Sequence, residues 1–221
     1  MRGFSLTLTR IVFSVLTVFL WAYTAGRQYP GPTNAAIIVG AVLLVYPVVG
    51  LGRMVLDRGP TPSRLVWTTT LVHFALLLLL GEAILKAAQT HRQWYGVMIP
   101  VPRVISLPLL LLASAAALLT VFNLAWKGLG APIAVAMTRR LATGWLYAWT
   151  RNPMVLATLS GLFLLGIYYQ SGLFVLWVLA VVTPAWLGFL KIYEERELEI
   201  RFGSSYLEYR RRTPILIPRK P

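Results

Sequence analysis

Residues 154–190 read MVLATLSGLFLLGIYYQSGLFVLWVLAVVTPAWLGFL, two apolar runs parted only by Gln170-Ser171-Gly172. As an α-helix each run approaches the roughly 30 Å of a bilayer's hydrocarbon core. Inside lipid every backbone N–H and C=O must be satisfied within the segment, which leaves the helix as the form available to runs of this length. A three-residue connection makes the pair an antiparallel helical hairpin. The chain therefore returns to the side it left, and the polar segments flanking the hairpin share one membrane face and can meet there.

Working outward, further apolar runs occupy residues 11–25, 35–51, 65–85 and 104–126. With 154–169 and 173–190 they predict an all-α fold, a polytopic transmembrane helical bundle of about six spans followed by a C-terminal cytoplasmic helical segment. The last two runs are shorter than ideal, so tilt or local thinning of the bilayer is expected around them. The division falls between residues 1–138, the N-terminal membrane helices, and residues 139–221, which carry the motifs described below. Composition agrees: of 221 residues 57% are hydrophobic and 13% charged, which argues against a soluble enzyme and against a disordered chain. The absence of cysteine removes disulfides, thiolate metal sites and cysteine nucleophiles together. The first run follows Arg2 and Arg10 but has no small-x-small site before Arg27, so it is expected to stay as a span rather than be cleaved as a signal peptide. Kinks are expected near Pro47, Pro108 and Pro184.

The net charge of +14 comes from 21 Lys and Arg against 7 Asp and Glu. With the N-terminus in the cytoplasm, 17 of the basic residues fall on that side and only Arg27, Lys86, Arg92 and Arg103 on the other. The positive-inside rule predicts this split for six helices with both termini cytoplasmic. Topology thus accounts for the charge, and no nucleic-acid partner is expected.

Five of the seven acids, Glu194, Glu195, Glu197, Glu199 and Glu208, lie just beyond the last span. Together with Lys191 and Arg201 they continue the helix out of the membrane to a stop near Gly203. Pairs at i,i+4, Lys191 with Glu195 and Glu197 with Arg201, would stitch a solvated helix. Phe202, Tyr206 and Tyr209 then read as an interfacial aromatic belt. Within the third span, His73 and Glu82 are nine residues apart, two and a half turns, and point to roughly opposite sides. His73 is a functional candidate or a bundle-facing polar contact, and Glu82 can snorkel to the interface. Asn123 reads as interhelical glue, and His91 has no metal partners at suitable spacing.

Two stretches carry a resemblance. Residues 194–209, EERELEIRFGSSYLEY, followed by TPILIP at 213–218, resemble the pattern EExxLxxxFGxxYxxY…P…IP of the isoprenylcysteine carboxyl methyltransferase and phospholipid methyltransferase families. Residues 141–154, LATGWLYAWTRNPM, are similar to the LVTxGxYxxxRHPxY motif of the same integral-membrane enzymes. The resemblance covers about residues 139–218, and both motifs occur in order with one helical hairpin between them. It implies a pocket for S-adenosyl-L-methionine at the cytoplasmic mouth. Carried over by position, Arg139, Arg140, Leu141, Ala142, Tyr147, Asn152, Pro153, Met154 and Val155 would line the cofactor. Glu194 and Glu195 would hold its polar atoms, and Lys191 or Arg151 would meet the head group of a lipophilic methyl acceptor. No metal is implied. The sequence departs from the pattern at Trp145, where glycine is frequent, at Asn152 for histidine, at Val155 for tyrosine, and at Lys191 for arginine.

The chemistry suits the residues. The cofactor carries an ammonium, a ribose diol and a sulfonium, which call for carboxylates and aromatic faces such as that of Tyr147. Methyl transfer needs alignment above all, so proximity and exclusion of water would supply most of the catalysis. A second reading is an NADPH-dependent membrane sterol-type reductase, since those enzymes resemble these methyltransferases at the C-terminal end. Arg139, Arg140 and Arg210 to Arg212 would then meet phosphates. A third is a membrane scaffold without activity, for which Asn152 is the only support.

Overall fold

A computed structural model describes residues 2–93, 96–126 and 140–219. Among these residues the chain is helical, with α1 Arg2–Ala25, α2 Gly31–Asp57, α3 Pro62–Thr90, α4 Arg103–Trp126, a single turn α5 Leu146–Trp149, α6 Pro153–Tyr168, α7 Gly172–Phe202 and α8 Ser204–Arg212. Five of them, α1, α2, α3, α4 and α7, are long and apolar enough to cross a membrane. The sixth apolar helix, α6, has 16 residues and is about 24 Å long at 1.5 Å per residue, less than the hydrocarbon thickness.

Local chemistry sets the boundaries. Thr61 accepts from the Arg64 amide and Pro62 opens α3, while Ser171 accepts from the Phe174 amide and starts α7 after a three-residue connection from α6. Each side-chain oxygen satisfies an amide that the first turn leaves free. At the end of α1 the Lys86 ammonium donates to the carbonyls of Thr24 and Arg27 at 2.9 and 3.0 Å and to Gln89. This pairs a cation with orphan carbonyls at a helix C-terminus. Glu82 accepts from the Thr24 hydroxyl, so it ties α3 to α1 rather than snorkelling.

One core runs through both halves of the chain. Val42, Val45, Val49 and Leu56 of α2 interlock with Val72, Leu76 and Leu80 of α3, with Leu159 and Leu162 of α6, and with Phe174, Val178, Val182 and Tyr193 of α7. The expected boundary at 138/139 lies outside the described residues. By contrast α1 and α4 show large apolar side chains outward, including Phe19 at 63% and Leu118 at 70% exposure. In water such faces drive association, whereas against lipid they are at home. The α4 helix packs along α6 and continues through Pro108.

The last span is not short. The helix begun at Gly172 runs on for 31 residues to Phe202, where Gly203 at φ +55° turns the chain into α8. Two π-helical turns interrupt it, at Val178–Val182 and Leu190–Glu194. The first comes just before Pro184, whose ring has no amide to donate, and there the Thr183 hydroxyl donates to the Val178 carbonyl at 2.9 Å. The second turns the polar extension of α7 about its axis, because each turn now takes an extra residue.

Candidate functional site

The segments on either side of the hairpin meet. Residues 213–219 lie along 149–152: the Arg151 amide donates to the Pro214 carbonyl at 2.9 Å, the Asn152 side-chain amide to the Ile215 carbonyl at 2.9 Å, and the Arg219 amide to the Trp149 carbonyl at 3.1 Å. From α8 the Tyr209 hydroxyl donates to the Tyr147 carbonyl at 2.6 Å. These bonds hold the entrance of α6 against the end of the chain.

Behind them is a cavity of about 1010 Å³ enclosed by α3, α4, α6, α7 and α8. Its polar end is centred on Arg151, whose Nη1 donates to Glu195 Oε1 at 2.7 Å and to the Tyr206 hydroxyl at 3.1 Å. The Arg151 and Glu195 side chains are only 11% and 19% exposed, which strengthens the pair over a surface one. The Arg151 Nε is buried with no partner among the described residues. Glu194 also lines the cavity and takes part in no hydrogen bond among the described residues. Glu197 and Arg201, which also line it, pair at 2.8 Å, and Thr69 and Tyr193 share a hydroxyl contact at 3.0 Å. Beyond His73 the wall is apolar, with Leu76, Leu80, Leu110, Leu162 and Leu165.

Burial pushes the Tyr147 and Tyr206 phenols up to about 12 and raises Tyr209 as well. For Tyr206 the neighbouring Arg151 charge opposes that shift without cancelling it. All three therefore keep their protons at neutral pH. Tyr206 accepts from Arg151, so its own O–H remains to be donated to a ligand.

Of the residues expected from sequence, Leu141, Ala142, Tyr147, Arg151, Asn152, Met154, Val155, Glu194 and Glu195 line this cavity. Pro153 is buried as the opening residue of α6 and Arg140 is exposed, so neither reaches it. Arg139 lies outside the described residues. Lys191 is exposed and is not among the residues that line the cavity, and Glu195 pairs with Arg151. The π-helical turn at Leu190–Glu194 is the cause, since the extra residue brings Leu190 rather than Lys191 to the side of Glu195. The Glu197–Arg201 pair does form, but within the cavity wall, with the Glu197 side chain 4% exposed. Sequence reading also took Tyr206 and Tyr209 for an interfacial belt, whereas both line the cavity from α8, beyond the turn at Gly203. Asp57 pairs with Arg196 at 2.7 Å, and Arg53 donates to the Ile192 carbonyl beside the π-helical turn. These contacts fix the end of α2 against α7.

Trp145 holds φ +58° and ψ −123° at the start of α5, a conformation open to glycine and strained for other residues. It is the position where the resembling motif has glycine. Trp145→Gly is expected to raise stability by about 1 kcal/mol, strain relief outweighing the entropy glycine loses on folding. A thermal unfolding midpoint lower than wild type would contradict this.

No family model, curated protein or solved structure matches the chain.

Proposed function

We propose that this chain is a membrane-embedded methyltransferase that uses S-adenosyl-L-methionine and modifies a lipophilic acceptor. The observation that carries the reading is two groups at the polar end of the cavity, a buried Arg151 Nε with no acceptor among the described residues and a partly buried Glu194 carboxyl that makes no hydrogen bond among them. A buried polar atom without a partner is costly, and a ligand can supply the partner. An amino-acid moiety brings both an ammonium and a carboxylate, and so suits the two together. The cofactor supplies an electrophilic methyl group on a sulfonium whose departure leaves a neutral thioether.

The chain's own residues bind, orient and exclude water. Glu194 offers a charge-assisted hydrogen bond to an ammonium and Arg151 Nε one to a carboxylate. Glu195 and Tyr206 hold the guanidinium in place, and the Tyr147 and Tyr206 rings offer faces that tolerate a sulfonium. The apolar depth beyond His73 suits the tail of an acceptor and keeps water from the transfer. Six spans with both termini in the cytoplasm, as the charge distribution favours, would open the polar end to the cytosolic cofactor supply.

The reductase reading has less to support it. Arg210 is engaged by Glu199 and Glu195, Arg212 by Glu208, and Arg140 is exposed; none of them, nor Arg211, lines the cavity.

Purified protein given methyl-labelled cofactor and a total lipid extract is expected to label the organic phase. Glu194→Gln keeps the size of the side chain and removes the carboxyl that can ionise against a bound ammonium, so it should weaken cofactor binding by about 10- to 100-fold, the worth of one charged hydrogen bond. Equal affinity in the variant and the wild type would remove Glu194 from the site.

A further inference from the structure

His73 is the one imidazole in the cavity wall, and it stands where the polar end gives way to the apolar depth. Its Nδ1 lies 2.8 Å from the Thr69 carbonyl oxygen. A carbonyl only accepts, so Nδ1 carries the proton and in the neutral ring Nε2 is a bare acceptor. The ring is fixed edge-on against Phe189 at 5.4 Å and Tyr193 at 6.4 Å, and Thr69 in turn bonds the Tyr193 hydroxyl. No described residue donates to Nε2. Tyr193 and Glu194 are adjacent in sequence, and Arg201 lies within electrostatic reach of both His73 and Glu194. The imidazole is thus oriented from behind and open in front, in the wall of the same cavity as the group assigned above to the cofactor's ammonium.

Resting on the methyltransferase reading, we propose that His73 selects and deprotonates the methyl acceptor, and that the acceptor is a weakly acidic X–H group, a thiol or a phenol, on a long apolar tail. A carboxylate already carries its charge at neutral pH, needs no base, and would face the Nε2 lone pair. An aliphatic alcohol is too weak an acid for an imidazole to deprotonate. Thiols near 8.5 and phenols near 10 lie within a few units of histidine, close enough for a positioned base to assist. In the transfer the X–H bond breaks and its proton passes to Nε2, while the electron pair on X forms the new bond to the methyl carbon. The carbon–sulfur bond breaks with its electron pair remaining on sulfur, and the imidazolium releases its proton to water once the methylated product has left.

The chain has two histidines, His73 and His91, so protein labelled with ring-15N histidine gives two sets of signals that His73→Asn assigns. With S-adenosylhomocysteine bound, the His73 Nε2 signal is expected to be that of an unprotonated nitrogen. It should move on adding 1-dodecanethiol or 4-nonylphenol and stay in place with dodecanoate, while His91 is unmoved throughout. In turnover assays the thiol or the phenol should accept the methyl group and dodecanoate should not. His73→Asn should lower kcat about 100-fold with KM little changed, since a lost general base acts on the chemical step. A protonated Nε2, a response to dodecanoate alone, transfer to none of these acceptors, or an unchanged kcat in His73→Asn overturns the proposal. Failure to bind S-adenosylhomocysteine in the first place overturns instead the reading on which it rests.

Discussion

Arg151→Met is expected to lower stability by about 3 kcal/mol, because removing one partner of a largely buried ion pair leaves the other uncompensated. Glu195 would keep only Arg210, at 3.6 Å, and Tyr206 would lose the guanidinium that it accepts from. The double variant Arg151→Met with Glu195→Met should recover most of that loss, since an apolar pair of similar volume replaces a buried ionic one at little cost. Cofactor binding behaves differently. It needs Arg151 Nε and the guanidinium orientation that Glu195 maintains, so it should be lost in the single and the double variant alike. Thermal unfolding in detergent with and without S-adenosylhomocysteine separates the two effects: ligand should stabilise wild type and neither variant. Ligand-induced stabilisation of the double variant would remove the pair from the site.

Gly52→Leu should be as damaging for a purely steric reason. A Cβ at this position would lie 2.6 Å from Val72 Cγ2 and 2.9 Å from Tyr193 Cε2, so α2 meets both α3 and α7 here. Both neighbours are in the core, with Tyr193 fully buried, so they cannot swing aside as a surface side chain would. Overpacking costs about 1–3 kcal/mol, and a leucine, three carbons beyond the Cβ that already clashes, belongs at or above the top of that range. Displacing Tyr193 would also release Thr69 and with it the orientation of His73, so the variant should lose cavity function even where it folds. Gly50, two residues earlier, has open space around it, and Gly50→Ala is the matched control, expected to melt near wild type. Equal unfolding temperatures for Gly52→Leu and Gly50→Ala would mean that the three helices do not approach this closely.

The membrane helices were legible because burial in lipid demands a long apolar run, and runs such as 65–85 and 104–126 need no partner to be recognised. The hairpin was legible for the same reason, since Gln170-Ser171-Gly172 leaves the chain no room for another path. Register was not. Reading α7 with 3.6 residues per turn set Lys191 beside Glu195, whereas the π-helical turn at Leu190–Glu194 moves Lys191 outward. No residue type in LKIYE announces such a turn. The depth of the polar extension escaped for a related reason: Glu197 and Arg201 have the spacing of a solvated pair, and only the packing of α8 and the end of α2 against α7 shows them enclosed. His73 could be named from sequence as an ionisable group within a span. Its partner Thr69, one turn earlier on the same face, was equally visible, but the direction of the open nitrogen depends on tertiary contacts with Phe189 and Tyr193.

The central claim is that the cavity receives S-adenosyl-L-methionine. Calorimetric titration of the detergent-purified protein with S-adenosylhomocysteine, beside the same titration with NADPH, tests it most directly. The account predicts saturable binding of the first alone, weakened in Glu194→Gln and absent in Arg151→Met. Saturable binding of NADPH with none of S-adenosylhomocysteine would contradict it and assign the cavity to a reductase.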